Sequence, residues 1–90
     1  MDKTINMKED KIKKLLELCP DAMIMDGFDD CIVGVVERFG EEDITCYSKE
    51  KVIEKLMGSE MGREEALEFF YFNQIGAYLG KNTPCFIEFL

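Results

Sequence analysis

Ninety residues make one domain, spanning 1–90, because a chain of this length buries only about 60% of its unfolded surface and has nothing left for a second core. An apolar share of 47% with 33% charged residues excludes a disordered chain. The formal charge of −8 is unevenly spread: residues 1–20 hold five lysines against four acids, so residues 21–90 carry −9 and would repel nucleic-acid phosphates.

The first predicted element is a helix over residues 7–18, where Ile12, Leu15, Leu16 and Cys19 recur at steps of three and four. Asn6, with Glu9 three residues on, reads as a variant capping box, and Pro20 ends the helix. The apolar run Ala22-Met-Ile-Met25, closed by the turn signal Asp26-Gly27, reads as a brief strand or a buried connection. Cys31-Ile-Val-Gly-Val-Val36 is unbroken and rich in β-branched residues, which predicts a strand covered on both faces. Gly34 within it marks a bulge or a close approach of another group. Glu41, Glu42 and Asp43 stand at the tip of a hairpin whose second strand is the alternating Ile44-Thr-Cys-Tyr47.

Ser48 is suited to cap a second helix over 49–57, with a buried stripe of Val52, Ile53, Leu56 and Met57. A third helix starts near Arg63, with Glu64 and Glu65 at the positive end of its dipole and Ala66, Phe69, Phe70 and Asn73 on one face. It either runs through Leu79 to a Gly80 cap or breaks at Asn73, leaving 75–79 as a strand; the longer helix is preferred here. Pro84 opens the last strand, Cys85 to Phe89. The order α-β-β-α-α-β describes an α+β fold, a small antiparallel sheet made of a hairpin and a C-terminal strand with helices packed on it.

Several stretches resemble a widespread class of small uncharacterised proteins of prokaryotes and their phages. They are Gly27-Phe-Asp-Asp-Cys-Ile-Val-Gly34, Glu37-Arg-Phe-Gly40, Tyr47 to Ile53, Glu65-Ala66, and Phe72-Asn-Gln-Ile-Gly-Ala-Tyr-Leu-Gly80 followed by Thr83-Pro84. The resemblance implies a small stand-alone protein of a phage or mobile element and brings no catalytic or binding residue with it. Gly62 departs from the Ser or Thr expected to cap the third helix.

The chemistry open to the chain is narrow. There is no histidine, and Cys19, Cys31, Cys46 and Cys85 form no Cys-x-x-Cys pair, so a zinc site is not expected and the four read as reduced thiols. The N-terminal residues contain no apolar stretch of signal-peptide type, and no run approaches the length of a membrane span, which together point to a cytoplasmic protein. No phosphate-binding glycine loop is present, no nucleophile and base stand at a recognisable spacing, and no cofactor or catalytic residue is assigned. Asp26, Asp29 and Asp30 are the weak metal candidates, without EF-hand spacing; turn and strand-entry hydrogen bonds are the preferred account of them.

What remains is binding. The leading expectation is a small acidic non-enzymatic protein that contacts a protein partner through Glu41, Glu42, Asp43, Glu64, Glu65 and Glu68, as an inhibitor of a host macromolecule. The alternative is a binder of a small nucleotide-like ligand, with Tyr71, Asn73 and Tyr78 lining its pocket. Phe69 to Phe72 and Phe86 to Phe89 read mainly as core. Seven Phe and three Tyr nevertheless exceed what so short a chain hides easily, which leaves some for a partner or for a homo-oligomer contact.

Overall fold

The computed structural model describes residues 3–75 and 80–90. Its elements run in the expected order: α1 Lys3–Leu18, β1 Ile32–Arg38, β2 Glu41–Ser48, α2 Lys49–Met57, α3 Arg63–Phe69 continued by a π-helical turn Phe70–Ile75, and β3 Cys85–Ile87. The fold is α+β.

Helix α1 begins four residues before the predicted start, so Asn6 lies inside it and not at its cap. Lysine, methionine and glutamate around Asn6 are strong helix formers, and one interior Asn weakens such a segment only modestly. Leu15 and Cys19 are buried and Ile12 packs on the core, whereas Leu16 is exposed. The chain then crosses the sheet as a connection, not a strand. Its backbone is satisfied by side chains of β2: the Met25 N–H donates to the Tyr47 hydroxyl at 2.6 Å, and the Thr45 hydroxyl donates to the Met23 carbonyl at 2.8 Å. Gly27, at φ +85°, turns the connection into a short 3-10 turn at Asp29–Cys31.

Strand β1 pairs antiparallel with β2 around Phe39-Gly40, where Gly40 takes φ +76°. The register slips between Ile32 and Gly34, the bulge that the glycine signalled. Glu41, Glu42 and Asp43 belong to β2 itself. The sheet order is β1-β2-β3, so the expectation for β1 is corrected: it is an edge strand, with Val33 39% exposed. Lys11 reaches over and donates to its Ile32 carbonyl at 3.0 Å. The central strand is β2, buried without a break from Ile44 to Ser48. A second correction concerns β3, which pairs parallel to β2 and makes the sheet mixed. Helices α2 and α3 lie between β2 and β3, a connection long enough to bring the chain back in the same direction beside the last three residues of β2.

Ser48 caps α2 as expected, accepting from the Lys51 N–H at 3.2 Å. Val52, Ile53 and Leu56 face the core, and Met57 lies outside it. Together with Leu15, Cys31, Ile32, Tyr47, Ala66 and Phe70 they form one cluster, on which Phe86 packs. Phe70 stands edge-on to Phe86, ring centroids 5.0 Å apart. Residues 76–79, which decide between the longer third helix and a strand, lie outside the described residues.

Candidate functional site

Helix α3 starts at Gly62, whose backbone is extended and which offers no side chain to the free N–H groups of the first turn. Two other features fix the helix. Arg63 forks onto Glu50 of α2 with bonds of 2.9 and 3.2 Å, and the guanidinium holds the Glu50 carboxyl below its usual range. Ala66 and Phe70, one helical step apart, are fully buried and lock one face onto the core.

That anchoring decides which face looks outward. Glu65, Glu68, Phe69 and Phe72 follow one another at i, i+3, i+4 and i+7 and so line a single stripe. Phe69 is 36% exposed and Phe72 82%. With Met61 and Asn73 they surround a shallow depression on the surface. Glu64 stands beside this stripe, and no ion pair among the described residues holds Glu64, Glu65 or Glu68. The expectation that Phe69 to Phe72 are core therefore holds for Phe70 alone, and the predicted buried face loses Phe69 and Asn73. The π-helical turn adds a residue to the helical cycle from Phe70 onward, a feature common at functional sites, and leaves Tyr71, Phe72 and Ile75 exposed.

The other acidic candidates are differently engaged. Glu41 pairs with Arg38 at 3.5 Å, Glu42 accepts from the Asn82 amide at 3.2 Å, and Asp43 is half-buried, its carbonyl accepting from the Cys19 thiol. No described contact joins this group to the acids of α3.

Of the residues of the small-ligand reading, Tyr71 and Asn73 have separate partners. Tyr71 turns to Lys49, whose ammonium donates to its hydroxyl at 2.7 Å and to Glu88 at 3.0 Å, so that the hydroxyl and then the carboxylate raise the lysine's pKa. The Asn73 amide donates to the Phe69 carbonyl of its own helix at 3.3 Å, and it does not tie the helix to the last strand. Tyr78 lies outside the described residues. Among the described residues Asp26, Asp29 and Asp30 do not gather into a three-ligand metal group, and Asp30 is bonded to Lys55 at 2.7 Å.

Sequence reasoning missed Phe69 and Phe72 as surface residues. The signal was present for Phe72, which shares the helical phase of Glu65 and not that of Ala66; Phe69, four residues from Glu65 and three from Ala66, falls between the two faces. Comparison of the chain with protein-family models, curated proteins and solved structures finds no match in any of the three.

Proposed function

We propose that this protein is a small acidic non-enzymatic binding protein that docks on a basic patch of a protein partner through the outer face of α3 and its π-helical turn. The observation that carries the reading is the exposure of Phe72 within one stripe with Glu65, Glu68 and Phe69. Solvated aromatic side chains of this size are unfavourable for a free domain, and binding hot spots are built from an aromatic anchor ringed by polar groups. Three carboxylates beside the anchor, without an ion pair among the described residues, select a basic counterpart and, with the −9 carried by residues 21–90, speed its approach. The resemblance to small phage and prokaryotic proteins agrees with an inhibitor that covers a basic working surface of a host macromolecule.

The test is the affinity for a partner captured from host lysate and then purified. Phe72→Ala is expected to weaken binding at least about tenfold without lowering the melting temperature, since truncating an aromatic anchor removes about 2 kcal/mol. Changing Glu64, Glu65 and Glu68 to Gln is expected to slow association and to weaken its salt dependence. An unchanged dissociation constant for Phe72→Ala would count decisively against this face.

A further inference from the structure

The four cysteines stand far apart in sequence, yet two of them meet in the sheet. In the parallel pairing of β2 with β3, Cys46 lies opposite Cys85, one step before Tyr47 opposite Phe86. Neighbouring strands run about 4.8 Å apart, within the range of roughly 4.4–6.8 Å between Cα atoms that a disulfide bridges. Each matched pair also shares a face. The Tyr47 and Phe86 rings stand 5.8 Å apart on the core side, so alternation puts Cys46 and Cys85 together on the other side. The Cys85 thiol is near enough to add to the burial that raises the pKa of the Cys46 thiol. Both are free thiols, Cys46 buried and Cys85 half-buried.

We propose that Cys46 and Cys85 are a dithiol pair that closes a reversible disulfide between β2 and β3, pinning the three-residue edge strand to the centre of the sheet. The oxidant is a small-molecule disulfide, RSSR. Cys85, the more accessible of the two, attacks first as its thiolate; the S–S bond of the reagent breaks and one RS⁻ leaves, taking up a proton equivalent to the one Cys85 released. Cys46 then gives up its proton and attacks the Cys85 sulfur, and the second RS⁻ leaves as RSH. Two protein thiols are oxidised, one RSSR is reduced to two RSH, and no net proton is consumed. Burial pushes the Cys46 thiol up to about 11, which keeps it protonated and leaves the first, intermolecular attack to Cys85; the second step runs through the small thiolate fraction of Cys46, helped by its being intramolecular.

The bridge would close a loop of about 40 residues, from β2 through α2 and α3 to β3, and loops of that length give substantial stabilisation. It also fixes β3 independently of the Lys49 contacts to Tyr71 and Glu88.

Incubation of the folded full chain with hydroxyethyl disulfide, followed by intact mass, peptide mapping and thermal melting, tests the pair. The expected product is lighter than the reduced chain by two hydrogens, maps to Cys46 joined to Cys85, and melts about 10 °C higher, reversibly on adding dithiothreitol. Cys46→Ala under the same treatment is expected to retain a hydroxyethyl adduct on Cys85. A bridge that maps to another pair, or both thiols still open to alkylation after prolonged treatment, overturns the assignment. A correctly mapped bridge that leaves the melting temperature unchanged overturns the pinning of β3.

Discussion

The hydroxyl of Tyr47 is one of the few polar atoms at the centre of the molecule. The side chain is fully buried in the main strand of the sheet, and its oxygen accepts the Met25 N–H at 2.6 Å, holding the connection that follows α1 against β2. Tyr47→Phe keeps the packing and strands that N–H, so a loss of about 1–3 kcal/mol is expected in urea unfolding. Gly62 works in the opposite sense. Its backbone already has the extended geometry of a helix cap, and a Cβ there meets no atom within 4 Å. Gly62→Ser supplies the missing oxygen and restricts the unfolded chain, with an expected gain of about 0.5–1 kcal/mol by the same measurement.

At the scale of elements, Phe70 joins the third helix to the sheet through its edge-on contact with Phe86, and its side chain is fully buried. Phe70→Ala is expected to lower stability by about 3–5 kcal/mol, enough to unfold much of a domain this small, whereas Phe72→Ala, two residues on, leaves it nearly unchanged. A similar loss from both would contradict the assignment of inner and outer faces. Elements whose signals are local were legible in the sequence. The Ser48 cap, the stripe Val52-Ile53-Leu56 and the bulge at Gly34 all follow from neighbouring residues. The strands were misjudged because burial depends on sheet order. Unbroken apolar β1 lies at an edge, while alternating β2 is the central strand, buried from Ile44 to Ser48 between its hairpin partner β1 and the distant β3. The direction of β3 and the meeting of Cys46 with Cys85 are likewise set by the path of the chain between strands, which no local pattern encodes. Of the candidate site, the acids of α3 were legible, and the aromatics beside them were assigned to the core by their hydrophobicity.

For the whole molecule, burial shapes the response to alkali. It pushes the Cys46 thiol from 9.0 to about 11 and raises Cys19, Cys31 and Tyr47, so the folded chain holds protons that the unfolded chain releases above pH 9. The stability these groups contribute is therefore complete below about pH 9 and is lost as pH rises through the folded values. The urea midpoint of the reduced protein is expected to fall between pH 8 and pH 10.5; a constant midpoint would contradict the buried state of these groups.

The molecule also divides into two kinds of surface, a slightly basic first helix and an acidic body that displays the aromatic stripe of α3. Its proposed role as a binding protein rests on the second. The most direct test places a photoreactive phenylalanine at position 72 and, as a control, at the exposed Glu17 of α1, and irradiates each in host lysate. A discrete cross-linked adduct that fades at high salt is expected from position 72, and none of the same mass from position 17. Equal labelling from both positions, or no discrete adduct from position 72, would contradict the proposed role.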